Sequence, residues 1–588
     1  MDKKFSTPRF LDRLIGYIES VPASDRFILR LVFFAVIAGF IFLLFALNDK
    51  YSVLTPTSGG TFSEGIIGTP RFVNPALALT RADQDVSALV YRGLLKIGAD
   101  GNLTNDVAES VTASEDGLTY NIVLKKDIQF HDGTPLTAYD VAYTIQLIQD
   151  PDLKSPLRGN WTDVLIEEIN EYELNIILEE AYAPFIENFT LGIMPAHVWS
   201  KLSISQMPFS QLNTEPIGSG PFEVIAGQRD ATGIINRYRL EAFRKNDLQP
   251  KFDAIELRFF QNESSLVEAF SEKDIDATAY ISNENIAAAT TKDISVFEQP
   301  LPRTFGIFFN QNRSSVLRDE AARSALTMAI NRDALIEETL SGHGVPIETP
   351  TTFATTTLES EEGTEEQVKL SNKAAAIETL EAGGWLENNL GLWEKQIDGG
   401  PVTLSITLRT SNSPLFASLV EAVAKQWQAI GVEVTIEQFE QTGLVQSVIR
   451  TRDFQALLFG LDMNRTQDLY PFWHSSQRND PGLNIAEYTN LTVDGLLEKA
   501  RTEQDSAARQ EYLAEASQII ADEMPAIFLF QPTLSYLVRS NITISPMNAL
   551  GQPADRLTTI ADWHTESESL WPIFQSDLEW PQVNFDIN

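Results

Sequence analysis

The sequence predicts an α/β protein with a membrane-spanning helix ahead of it, and three stretches carry that prediction. Val402, Leu404, Ile406 and Leu408 alternate as in a strand. Phe416, Leu419, Val420, Val423, Trp427 and Ile430 then recur at helical spacing, and Val432, Val434 and Ile436 alternate again. A strand, a helix of about 16 residues and a second strand imply a parallel pair joined by a right-handed crossover. Residues 253–280 repeat the pattern, with Ile255, Leu257 and Phe259 alternating, a short helix around Ser264–Ser271 and an extended segment after Asp274. The third stretch, Leu31–Leu47, is seventeen residues without a charged or strongly polar side chain.

Taken in order, residues 1–26 read as a cytoplasmic leader and 27–47 as the transmembrane helix. Seventeen residues cover about 26 Å at 1.5 Å each, and Arg30 can snorkel so that Phe27, Ile28 and Leu29 complete the span. A cleaved signal peptide fits less well, because the polar leader is long and Asn48, Asp49 and Lys50 follow with no small-residue cleavage site. Lys3, Lys4, Arg9, Arg13, Arg26 and Arg30 precede the span and only Lys50 follows it closely, which orients the N-terminus to the cytoplasm and the body outside. Residues 48–57, with Pro56 followed by Gly59 and Gly60, read as a tether.

Beyond the tether, helices are expected at 318–330 and 506–522. Ser413 is placed to cap the helix that begins at Pro414, and Gly431 to end it. Five glutamates between 359 and 366, beside a Thr-rich run in the stretch 351–371, read as a solvated loop.

Composition bounds the function. The chain has 588 residues, enough for about four domain-sized units. Its 44 Lys and Arg against 81 Asp and Glu give a net charge of −37, which repels phosphate backbones and excludes general nucleic-acid binding. All of that acidity lies after residue 50, where 37 basic and 76 acidic side chains leave −39. There is no cysteine, hence no disulfide, thiolate metal site, Cys nucleophile or acylated Cys anchor.

The body carries GGTFSEGIIGTPRFVNPAL at 59–77, VYRGLLKIGADGNLTNDVAES at 90–110 and SEDGLTYNIVLKKDIQFHDGTPLTAYDVAYTI at 114–145. PIGSGPFEV follows at 216–224, FGIFFNQN at 305–312, LRDEAARSALTMAINRDALI at 317–336, AGGW at 382–385 and DLYPFWHSSQ at 468–477. In wording, order and spacing this series resembles the family 5 extracellular solute-binding proteins, the peptide-binding receptors of ABC importers. The resemblance implies a two-lobed periplasmic-binding-protein clamshell of type II with an extra inserted domain. The first lobe would take 58–89, 200–304 and 531–588, the insert 90–199, and the second lobe 305–530. Bending at the crossings near 305 and 530 would close the lobes on a ligand, and a membrane permease would recognise the closed state.

A receptor tolerant of many side chains must bind what all peptides share, the backbone and the charged termini. In the family a carboxylate of the second lobe pairs with the ligand's α-amine, within the segment that here reads FGLDMNRTQDLYPFW at 459–473. The aligned place falls near Asn464. Asp462 or Asp468 is left to supply the charge, while Asn464 with Arg465 would weaken capture of a free amine and point to a different or N-blocked ligand. Phe305 and Asn310 stand where the chain crosses between lobes, and an aromatic there could stack on a ligand; Phe308 reads as core. Trp473 and His474 lie beside the ligand loop, with domain packing the alternative for Trp473. His131 reads as part of a strand and turn made with Asp132 and Gly133.

An enzyme is the competing class. The five histidines are at least 66 residues apart, and no paired-His metal motif, Gly-x-Ser-x-Gly elbow or Gly-x-x-x-x-Gly-Lys loop occurs. No catalytic residue, metal or cofactor is assigned. The remaining alternatives are a receptor of the same fold for another solute, such as a nickel chelate or a sugar, and a ligand sensor reporting to a membrane partner.

Overall fold

The computed structural model describes residues 22–51, 53–351, 365–397, 399–565 and 567–570. The leader up to residue 21 and most of the acidic loop, 352–364, lie outside them. The described residues fall into two compact units, Ser58–Trp563 and the residues on either side of it.

In the flanking unit the expected span lies within a helix of 29 residues, Ala23–Tyr51. Among the described residues no helix is long and apolar enough to cross a membrane. The expected tether is corrected in part. The helix runs on to Tyr51, and Val53–Pro56 forms a strand antiparallel to Ser567–Leu570. That ladder also draws Ser567–Leu570, expected in the first lobe, into the flanking unit.

The main unit is organised by one long strand, Ala526–Arg539. Its first residues, Ala526–Phe530, pair with Phe305–Phe308, and its later ones, Thr533–Arg539, pair with Ile294–Pro300. Two mixed sheets therefore share a strand, which gives the two-lobed periplasmic-binding-protein fold. Pro300, Pro302 and Pro532 gather where the chain passes between lobes, a place where missing N–H donors interrupt the ladders.

The first lobe aligns Thr61–Ile67 with Ala254–Phe260 and with the short strand Ala277–Thr278, both parallel to it. The helix between those two, Glu263–Ser271, is capped by Asn262, whose side chain accepts from the Ser265 N–H at 3.0 Å. In the second lobe Ser405–Ser411 and Glu433–Phe439 pair in parallel, Ile406 opposite Val434, joined by the helix Pro414–Gln428. Pro414 opens that helix, but Ser413 makes no side-chain cap bond: it stands at the capping position with its N–H given to the Ser411 hydroxyl. Gly431 ends the helical region at φ +83°, with the Gly391 carbonyl oxygen 2.7 Å from where a Cβ would sit. The other two expected helices run Glu320–Met328, capped by Asp319, and Ser506–Glu523, capped by Asp505.

Arg303–Phe309 shows why its residues are so apolar. Ile307 and Phe309 pack with Leu326, Trp427 and Leu458 on one face, while Phe308 packs with Leu457, Trp473 and Phe528 on the other. A strand buried on both faces has no polar side to present. A third core belongs to a small module: Ala108–Ala113, Thr119–Leu124, Glu173–Ile177 and Leu165–Asn170 form an antiparallel sheet with the helix Ala138–Gln149 beside it.

Candidate functional site

Strand directions locate the site. Ala456–Asp462 is antiparallel to Arg303–Phe309, which is antiparallel to the shared strand, so Ala456–Asp462 and its parallel neighbour Ser405–Ser411 run as the shared strand does, out of the second lobe toward the first. Ala277–Thr278 is antiparallel to the shared strand, and Thr61–Ile67 and Ala254–Phe260 follow Ala277–Thr278. The parallel strands of both lobes thus point their carboxyl ends at the crossing, the side of an α/β sheet on which ligands bind.

At that end of the second lobe four rings stack in series. Phe530 lies 5.0 Å from Phe305, Phe305 lies 5.4 Å from Phe416, and Phe416 lies 6.4 Å from Phe459. Phe305 and Phe530 are buried, whereas Phe416 and Phe459 are half-buried and form the accessible end of the stack. Phe305 therefore supports the rings a ligand could reach. Asp462 pairs with its cross-strand partner Arg303 at 2.7 Å, both side chains open to solvent. In the first lobe Arg81 lies over the Tyr280 ring at 4.2 Å and donates to the Ala279 carbonyl at 3.1 Å.

The other residues singled out in the sequence are held differently. Asn464 adopts φ +51°, a left-handed conformation that Asn tolerates, and its side-chain oxygen accepts from the Thr466 hydroxyl at 2.7 Å. Asp468 is buried: one oxygen accepts from the Tyr470 N–H at 3.0 Å and the other from the Tyr182 hydroxyl at 3.1 Å and Arg501 Nε at 3.3 Å. Asn310 is fully buried and donates to the Arg452 carbonyl at 2.9 Å. Trp473 is packed among Phe308, Tyr488 and Phe528. In this structure Asn310 and Trp473 therefore present no surface to a ligand.

A cavity of about 600 Å³ opens beside the loop. Asn464 and Arg465 line it from the second lobe, the helix Arg81–Val90 lines it through Gln84, Ser87 and Ala88, and Glu187 and Asp555 also face it. Burial raises the carboxyl of Asp555, although the N–H groups of Gly551 and Gln552 donate to it at 2.8 and 3.0 Å. Arg92, also in its wall, bridges Asp106 and Asp247, and Lys125 joins Asp247 at 2.7 Å. Against the cost of burial, those two cations bring the Asp247 carboxyl down to about 2. Among the described residues no group of three or more His, Asp or Glu is placed to hold a metal ion.

The family model for bacterial extracellular solute-binding proteins, family 5 Middle, matches residues 102–481. The chain belongs to this family. It is 26% identical over 508 residues to the oligopeptide-binding protein AppA of Bacillus subtilis, covering 84% of this chain and 90% of that protein. It is 23% identical over 517 residues to the dipeptide-binding protein of Escherichia coli, covering 82% and 92%. The structure of Bacillus subtilis AppA in complex with a nonapeptide superposes with a TM-score of 0.62 at 24% identity, over 87% of this chain and all of that one. Membership makes this a solute-binding protein rather than an enzyme. Arg303, Phe416 and Phe459, which this end of the second lobe presents, are not among the residues that the sequence singles out. In the sequence Phe416 is one of the apolar positions of its helix; its place in the first turn, directly after a parallel strand, is the available signal.

Proposed function

We propose that this chain captures peptides between its two lobes and delivers them to an ABC importer's permease. The observation that carries the reading is the convergence of both sets of carboxyl-terminal strand ends on the crossing, where an exposed acid, Asp462, and an accessible aromatic face, Phe416 with Phe459, stand together. Asp462 rather than Asp468 is the group left for a ligand's α-amine, since Asp468 is committed to Tyr182 and Arg501. The first lobe is then 58–89, 200–304 and 531–563, the small module 90–199 and the second lobe 305–530, with bending at Pro300–Arg303 and Gln531–Thr533.

Calorimetry of the purified chain against a mixed library of short peptides tests this. Binding without cleavage is expected, and Asp462→Asn should weaken free-amine peptides more than their N-acetylated forms. Turnover of peptide, or no binding at all, would overturn the reading. Equal losses for both peptide forms would remove Asp462 from amine recognition.

The helix Ala23–Tyr51 is proposed as the membrane anchor. Phe27, Ile28 and every described apolar side chain from Leu31 to Leu44 face outward, and a chain without cysteine has no thioether lipid to use instead. Removal of residues 1–57 should release the body from the membrane fraction; a truncated chain that still sediments with membranes would exclude the helix as sole anchor.

A further inference from the structure

We propose that the turn Tyr182–Thr190 of the small module is a clasp that fastens the second lobe and so stabilises the closed arrangement. Two arginines of the second lobe converge on this one turn. Arg465, in the loop after strand Ala456–Asp462, donates to both oxygens of Glu187, Nε at 3.0 Å and Nη2 at 2.9 Å, and its Nη1 donates to the Gly101 carbonyl at 2.5 Å. The same Nη1 reaches the Ala549 carbonyl at 3.5 Å, so one guanidinium touches the module and the first lobe together. Arg501, on the helix Leu491–Thr502, lies between two rings, 4.7 Å from the centre of Tyr182 and 4.1 Å from that of Tyr470. Asp468 completes the second grip by accepting from both the Tyr182 hydroxyl and Arg501 Nε.

This junction is built to come apart. Among the described residues, none of the four apolar cores of the main unit crosses this junction: the module's core holds no residue after Ile217, and the core under the second lobe's loop holds none before Phe308. One forked, charge-assisted pair, one hydrogen bond from the Tyr182 hydroxyl to Asp468 and the packing of Arg501 on Tyr182 take the place of continuous apolar packing, and part of each grip remains in water, with Glu187 28% and Arg501 32% exposed. Polar, hydrated junctions are the kind that domains open and close. On this proposal the crossing supplies the hinge, and the clasp joins residues 278 and 286 positions apart in sequence, one partner on the module and the other on the second lobe.

The native chain has no cysteine, so spin labels can be placed uniquely at Glu168→Cys on the module and Thr442→Cys on the second lobe, both exposed. Pulsed electron paramagnetic resonance on the ligand-free full chain reads the distance distribution between them. Glu187→Arg and Arg465→Glu, each alone, should raise the ratio of long to short distances about fivefold or more, the response to losing roughly one strong polar contact. The exchange Glu187→Arg with Arg465→Glu should restore the short distance. Tyr182→Phe removes one hydroxyl without altering charge and should give a smaller shift in the same direction. A native distribution in both Glu187→Arg and Tyr182→Phe would overturn the clasp, as would a folded exchange variant that stays open. The measurement uses no ligand, so its failure leaves the peptide-receptor reading standing.

Discussion

Arg556 holds Asp85 with two hydrogen bonds, 2.8 and 2.7 Å long, at a point where neither side chain meets solvent. The same guanidinium donates to Glu64, whose other oxygen accepts from the Tyr536 hydroxyl at 3.1 Å, while Tyr280 donates to Asp85 at 2.7 Å. Glu64 comes from the GGTFSEG strand, Asp85 from the helix Arg81–Val90 and Arg556 from near the end of the main unit, so this network ties the first lobe's two sequence extremes together.

Removing the cation should be severe. Arg556→Met leaves two carboxylates buried without a counter-charge, a change that costs about 3–5 kcal/mol for a broken buried pair. Urea denaturation of the purified chain should show a loss of that size; a loss under about 1 kcal/mol would mean that water enters and solvates the acids.

Glu64 should also give stability a pH dependence. Burial raises its carboxyl above the ordinary 4.5, Arg556 opposes that rise and Asp85 adds to it. The folded state then holds a proton that the unfolded chain has released, so this group's contribution is greatest at acid pH and declines as pH rises above about 4.5 through the raised value. Glu64→Gln should remove that decline. Parallel stability curves for the two proteins across this range would show that Glu64 is ionised throughout.

Glycines in the PIGSGPF segment answer to close approach rather than to turn geometry. A Cβ on Gly218 would sit 2.0 Å from the Val90 carbonyl oxygen, and one on Gly220 2.4 Å from that of Leu89, both at the end of the helix Arg81–Val90. Gly218→Ala should destabilise by at least about 1–3 kcal/mol, the range for overpacking, because backbone must move. Gly495 is the contrast. It lies within the helix Leu491–Thr502 with nothing inside 4 Å of its missing Cβ, so Gly495→Ala should stabilise by about 1 kcal/mol. Thermal denaturation of both variants checks the pair, and equal effects would sink the argument.

What the sequence made legible was local. The strand, helix and strand at 402–439 declared themselves because each period is set by residues within one turn or one strand. The family motifs implied a two-lobed fold. Asp462 and Asp468 could not be told apart there, because what holds each is a partner distant in sequence: Tyr182, 286 positions away, for Asp468, and Arg303, 159 positions away across a strand ladder, for Asp462. Asn310 and Trp473 misled for a related reason. Polar and aromatic residues near a crossing look available in one dimension, and only packing shows Asn310 spent on the Arg452 carbonyl and Trp473 inside a core. The Arg465 and Glu187 pair left no local signal at all.

His131 provides the last prediction. The Gly218 N–H donates to its Nδ1 at 3.3 Å, and its Nε2 lies 3.2 Å from the Gly220 carbonyl. An Nδ1 that accepts and an Nε2–H that donates define the neutral ring, so the FHDGTPL turn is locked to the PIGSGPF segment by an uncharged histidine. Burial pushes its pKa from 6.5 down to about 4, against smaller upward pulls from the Gly220 carbonyl and Asp132. Because the folded value is depressed, the contribution is fully present above 6.5 and is lost as pH falls through the window from 6.5 to about 4, where the unfolded chain binds a proton and the folded one does not. That window corresponds to at most about 3 kcal/mol. His131→Gln retains a donor and an acceptor but does not titrate. The stability difference between native and variant should therefore shrink, or reverse, as pH is lowered from 7 to 4 in urea titrations. A difference that stays constant would show that the histidine is protonated alike in both states and that the neutral lock does not form.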